Sequence, residues 1–164
     1  MQKIIQIFTL VTLCYMRTCG GACWVTQGFL MSVPSSAKIK VSKNPGKLTV
    51  TLNAAGSGSA IDSSTTYTVT SNSQGSGQLQ ITGAITTGGN MPTNTSLTIS
   101  LASQSGISQG AQTLSTTAVA LVTTLPLLLN DTSTITYTFT VRNGWSIAAQ
   151  TLTRKVTLTL AATS

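Results

Sequence analysis

The chain carries two carboxylates, Asp62 and Asp131, and neither a histidine nor a glutamate in its 164 residues. General acid–base catalysis draws mainly on His, Glu and Asp. Zinc sites draw on Cys, His and carboxylates, and calcium sites on several carboxylates at once. Ser and Thr make up about a third of the chain, but a hydroxyl becomes a nucleophile only beside a base that activates it. A Ser-His-Asp triad is therefore impossible, and what remains is a Ser–Lys dyad using Lys38 or Lys40. The expectation is a protein that is not an enzyme and that takes no metal and no cofactor. Lys38 or Lys40, Asn130 and Asp131 or Asp62 could supply the parts of a lysine–asparagine cross-link beside an acid. The better reading of both acids is loop capping: Asn130-Asp131 looks like a turn between Leu129 and Thr132, and Asp62 precedes a strand.

Trp145 follows Asn143-Gly144. On the rim of a β-sandwich it could stack on a surface glycan or anchor a partner; the competing reading folds it over the end of the core. Asn94-Thr95-Ser96 and Asn130-Asp131-Thr132 match the glycosylation pattern, which matters only in a eukaryotic secreted protein. The formal net charge is +7. Lys38 to Lys47 is the only basic cluster, without the stacking aromatics that a nucleic-acid surface wants. It reads as a solvated edge strand guarded by lysines, and no nucleic-acid partner is expected.

At the N-terminus, one lysine precedes the mostly apolar run Ile4 to Leu13, Arg17 breaks it, and Gly20-Gly21-Ala22 supplies small residues. This is the pattern of a secretion signal over residues 1–22, cut after Ala22, and the run is too short to span a membrane. A misassigned start or a plain buried strand is the alternative. Cys14, Cys19 and Cys23 all fall here, so the remaining domain would have no internal disulfide, and lipidation at Cys23 is a weaker option because Gly20 stands where a large aliphatic residue is usual. Residues 23–36 then form an apolar arm. In it Trp24 leads, Phe29, Met31 and Val33 alternate, and Pro34 ends the run.

Residues 37–164 read as the folded domain. Charged residues are only 7% of the chain and apolar ones 41%, and the apolar ones recur with the period of two that puts alternate side chains on opposite faces of a strand. The clearest case is Thr132 to Ala162. Ile135, Tyr137, Phe139 and Val141 share one face and Thr134 to Thr140 the other. After Arg142-Asn143-Gly144, a turn sequence that tolerates positive φ, Leu152, Val156, Leu158 and Leu160 share a face interrupted by Arg154. The two runs are expected to pair as a closing hairpin, with Tyr137, Phe139, Leu158 and Leu160 buried. Upstream, Lys38–Ser42 and Leu48–Leu52 flank the turn sequence Asn44-Pro45-Gly46. Asn53 to Ala60 reads as a loop, and strands follow at Thr65–Thr70, Gln78–Ile85 and around Leu97 to Leu101. Val119 to Val122 is a strand or a short helix. Seven to nine short strands and frequent Gly, Pro and Asn breaks predict an all-β fold, an immunoglobulin-like antiparallel β-sandwich.

Leu114-Ser-Thr-Thr-Ala118, Leu121-Val-Thr-Thr-Leu-Pro126, Ile135-Thr-Tyr-Thr-Phe139 and Arg154-Lys-Val-Thr-Leu-Thr-Leu160 resemble the C-terminal half of secreted bacterial β-sandwich proteins. These include surface-layer-associated, spore-coat-U-like and fimbrial subunits. The resemblance implies a secreted or cell-surface structural subunit with no catalytic residues to carry over. Such a subunit would partner itself as a homo-oligomer or filament; an adhesin that binds a carbohydrate or a host surface is the alternative. The arm, through Trp24, Phe29, Met31 and Val33, would serve assembly by adding a strand to the edge of a neighbour's sheet.

Overall fold

The computed structural model describes residues 35–73, 77–143 and 150–163. Ser35–Ser164 forms one compact unit. Among the described residues the fold is all-β, with no helix. The strands are β1 (Ala37–Val41), β2 (Gly58–Asn72), β3 (Gln78–Thr87), β4 (Thr95–Leu101), β5 (Ile107–Ser108), β6 (Gln112–Thr113), β7 (Val119–Leu125), β8 (Leu128–Val141) and β9 (Lys155–Thr163). They form two sheets, ordered β1-β2-β8-β4-β6 and β5-β7-β3-β9, in which every pairing is antiparallel.

The alternation decides which side of each strand is buried. β2 turns Tyr67 and Val69 inward, β4 turns Leu97, Ile99 and Leu101, and β8 turns Ile135 and Tyr137. The second sheet answers with Leu79, Ile81 and Ile85 from β3 and Leu121, Val122 and Leu125 from β7. The run Leu121-Val122 breaks the alternation because the β3–β7 register shifts there, so two consecutive side chains are buried. Gly83 lets β7 come close to β3: a Cβ on it would lie 2.7 Å from Leu121 Cδ1.

Three expectations are corrected by the strand order. First, β8 and β9 do not form a hairpin. Both edges of β8 are already taken, by β2 from Gly58 to Asn72 and by β4 from Thr95 to Leu101. β9 therefore pairs with β3 in the opposite sheet. Asn143 does adopt positive φ, 48°, so the local conformation was legible although the connection it serves was not. Second, an immunoglobulin-like order sets the last strand beside its predecessor in one sheet, whereas here the pairs β2–β8, β3–β7 and β4–β6 are nested and β9 lies beside β3. Third, Phe139, Leu158 and Leu160 are only partly buried against the core, unlike Tyr137. Among the described residues β9 is hydrogen-bonded only to β3, so one flank of its apolar face lacks a paired strand, and β1 of the opposite sheet passes close to it.

Of the two strand candidates that flank Asn44-Pro45-Gly46, only the first forms a strand, and it does not pair with the second. β1 descends along β2 from Ala37 opposite Ser71 to Val41 opposite Tyr67. The chain then makes an excursion and continues in the same direction. Gly46 meets Asp62, and Thr51 O lies 2.3 Å from where a Cβ on Gly58 would sit. Only glycine admits so close a backbone approach. Leu48, Val50 and Leu52 keep the inward alternation but form no ladder, and β2 begins at Gly58 inside what reads as a loop.

Candidate assembly edge and isolated polar groups

Sheet edges are where a β protein meets another chain, because their backbone donors and acceptors are unpaired. β1 and β9 are both edges, and they are defended differently. β1 is five residues long and carries Lys38 and Lys40 facing outward, two devices that discourage pairing. β9 runs nine residues from Lys155 to Thr163. Past Lys155 it has neither charge nor proline, and among the described residues it has no partner on the side away from β3. Its inward residues Val156, Leu158 and Leu160 remain half-buried. The expected assembly residues Trp24, Phe29, Met31 and Val33, and the expected contact residue Trp145, lie outside the described residues, as do the signal segment and its cysteines.

The two acids do unlike things. Asp62 sits at the bulge in β2, where the register with β8 shifts between Asp62 and Thr65. Its carboxylate accepts the backbone N–H of Gly46 and, at 2.7 Å, that of Ser64. Hydrogen bonds from Ser64, then Gly46, and the nearby Lys43 charge hold its pKa below the usual carboxylate value. It caps backbone amides as expected, but from a bulge inside β2 and not from a position before a strand.

Asp131 is not in a turn. It lies inside β8, opposite Val69, on the inward side. Its Oδ2 is buried without a hydrogen-bond partner among the described residues. Tyr67 is nearby, its hydroxyl donating to Ala102 O at 2.5 Å. Burial raises the Tyr67 pKa above 10.0, and the Asp131 charge adds to that. The cross-link geometry is not assembled: Lys38, Thr70 and Asn130 share an outward row, while Ile39, Val69 and Asp131 share the adjacent inward one. The acid is on the wrong face.

At the opposite end of β8, Arg142 borders two open depressions of about 410 and 330 Å³. Asn53, Ser57 and Ser59 line one, and Asn94, Ser96 and Thr113 the other; neither Asp62 nor Asp131 borders them. Among the described residues no three His, Cys, Asp or Glu side chains gather where they could hold a metal, and no helix is long and apolar enough to cross a membrane.

One surface was hidden from sequence reading. On the outward side of the five-stranded sheet, Thr132 and Thr134 of β8 align with Thr68 and Thr66 of β2, and Thr136, Thr138 and Thr140 with Ser100, Thr98 and Ser96 of β4. The alternation along β8 was plain, but which strands flank it was not. On the other sheet the rows are interrupted: the outward residues of β3 are Gln78, Gln80, Thr82, Ala84 and Thr86, and those of β9 are Lys155, Thr157, Thr159, Ala161 and Thr163.

The chain matches no protein-family model, and neither a curated protein nor a solved structure is detectably similar to it.

Proposed function

We propose that the protein is a non-enzymatic extracellular structural subunit of a bacterial surface layer, coat or filament, assembling by strand addition. The observation that carries this reading is the β9 edge: nine residues long, undefended past Lys155, with an apolar face left half-covered. The arm Trp24 to Val33 has the length and alternation to serve as the added strand, satisfying unpaired backbone groups and covering Val156, Leu158 and Leu160 together. A head-to-tail contact of this kind does not close and gives a filament. The nested strand order is that of a jelly roll, an architecture found in shell-forming and sugar-binding proteins; fold alone does not choose between them. The test is light scattering and negative-stain microscopy of the intact chain and of a variant lacking residues 24–33. Oligomers or filaments that the deletion abolishes, with the domain still folded, are expected. A monomer at high concentration, or assembly unchanged by the deletion, overturns the reading.

The adhesin reading has one supporting feature, the uncharged amides and hydroxyls around Arg142, three residues before Trp145. Glycan binding lost on Arg142→Ala would favour it.

A further inference from the structure

The outward face of the five-stranded sheet is a grid of hydroxyls. Along β8, Thr132, Thr134, Thr136, Thr138 and Thr140 point the same way. The register sets Thr134 beside Thr66 and Thr132 beside Thr68. On the other flank Ser100, Thr98 and Ser96 stand beside Thr136, Thr138 and Thr140. On this face the central strands carry no charged residue within the hydroxyl rows: Asp131 turns inward, and Asp62 sits at the bulge in register with inward Tyr137, its carboxylate bound to Gly46 at the sheet edge; Ile61, Asn72, Leu128 and Asn130 are the departures from hydroxyls. Lys38 and Lys40 stand only at the rim, on β1.

Composition alone does not account for this pattern. Hydroxyls occur on the other outer face too, where Thr86 Oγ1 of β3 lies 2.8 Å from Thr157 Oγ1 of β9, but the rows there are interrupted, by Lys155 and Ala161 on β9 and by Gln78, Gln80 and Ala84 on β3, whereas five threonines follow one another on β8. The hydroxyls on the five-stranded sheet are also held in place. Thr68 Oγ1 and Thr132 Oγ1 are 2.8 Å apart, Thr70 Oγ1 donates to Asn130 Oδ1 at 3.2 Å, and Thr98 Oγ1 donates to Thr138 O at 3.4 Å. Cross-strand bonds of this kind fix rotamers and so fix the spacing of the grid.

That spacing follows from sheet geometry. Neighbouring strands lie ~4.8 Å apart and alternate residues along a strand ~6.7 Å apart. Twist rotates each neighbouring strand by about 20–25°, so the regular part is a ribbon that follows β8 and takes in one flanking row at a time. These repeats are close to the oxygen repeats on a prism face of hexagonal ice. Each threonine offers a methyl group that sits against a lattice void and a hydroxyl that joins the water network. A charged side chain would instead orient water around itself and break the lattice, and the hydroxyl rows of the central strands carry none.

We propose that this face binds ice, with Thr132 to Thr140 of β8 as its central row. The inference is independent of strand addition, because the grid lies on the outer face of one sheet and the assembly edge belongs to the other.

The experiment measures inhibition of ice recrystallisation, and partitioning into a slowly growing ice front, for the full chain. Thr138→Tyr puts a bulky ring in the middle of the central row, and Thr68→Tyr does the same in the flanking row. Thr159→Tyr puts the same ring on the other sheet. Each variant is checked for fold by circular dichroism and melting. The wild type and Thr159→Tyr are expected to inhibit recrystallisation and to enter the ice. Thr138→Tyr and Thr68→Tyr should each lose at least ten-fold in potency while melting as the wild type does; if one of them fails to fold, the other carries the test. A wild type that is excluded from ice, or a folded Thr138→Tyr or Thr68→Tyr variant as potent as the wild type, overturns the proposal. Retention on insoluble polysaccharide without retention in ice overturns it as well.

Discussion

The carboxylate of Asp62 holds the backbone amide of Gly46 across sixteen residues of sequence, and this bond ties the segment after β1 to the bulge in β2. After its excursion through Asn44 and Pro45 the chain is caught again at that point and approaches β2 once more at Gly58. Substituting Asp62 by Ala should loosen residues 42–53 without unfolding the core. Amide exchange should accelerate in that segment and stay slow in β3 and β4.

The same carboxylate gives a pH dependence. Its folded pKa lies below the unfolded reference of 3.8. Such a group adds stability above the unfolded pKa and loses it as pH falls through the folded value. Residues 42–53 should therefore stay protected at pH 5 and open below pH 3.8, and Asp62→Asn should flatten that acid limb.

The alkaline limb has the opposite sign. Burial raises the Tyr137 pKa above 10.0, with the Asp62 charge as a smaller cause, and Tyr67 is raised likewise. Between 10.0 and the raised values the unfolded chain releases protons that the folded chain keeps, so stability falls as pH climbs above 10.0. Tyr137→Phe should leave the neutral-pH melting temperature nearly unchanged and reduce the loss between pH 10 and 11. An unchanged alkaline slope would mean that Tyr137 ionises as readily folded as unfolded.

Core positions should separate by burial rather than by size. Ile99 is fully buried between the sheets, and Ile99→Ala should cost about 2–5 kcal/mol. Phe139 is larger but only partly buried, so Phe139→Ala should cost less than Ile99→Ala in denaturant melts. Gly83→Ala should cost about 1–3 kcal/mol by overpacking, since the added methyl meets Leu121 Cδ1 at 2.7 Å.

These contrasts show what was legible in the chain. The alternation of Ile135, Tyr137 and Phe139 against the threonines gave the strand and its inward side, because a period of two is a property of the strand itself. The burial of Phe139 was not legible, since it depends on what the opposite sheet places there. The pairing of β9 was misread for a similar reason. Asn143-Gly144 signals a tight turn, but β2 and β4, more than thirty residues upstream, had already filled both edges of β8. Asp131 was read as a turn residue because Asn-Asp usually is one; β2 pairs across it and draws it into β8. Neither the hydroxyl grid nor the β9 edge exists until strand order is known, so no local pattern could have announced them.

The last prediction concerns the β9 edge. Natural edge strands are commonly guarded by a charge that points inward, which is tolerated at a free edge but would be buried if another strand were added. Leu158 is the position to test. It faces inward, is half-buried and stands opposite Gly83 of β3. In Leu158→Lys the stem can still lie along the apolar surface while the ammonium reaches water past the open side. The cost to the isolated domain should be about 1 kcal/mol, a part of the roughly 1.5–3 kcal/mol for full burial of a leucine. An added strand would close that open side and strand the charge, which is far more expensive. Leu158→Lys should therefore leave a folded domain and abolish assembly measured by light scattering, whereas Thr159→Lys, facing outward on the same strand, should leave assembly intact. If Leu158→Lys assembles as the wild type does, β9 is not the edge that accepts a strand; if Thr159→Lys disrupts assembly equally, the contact is made by the outer face of that sheet rather than along its edge.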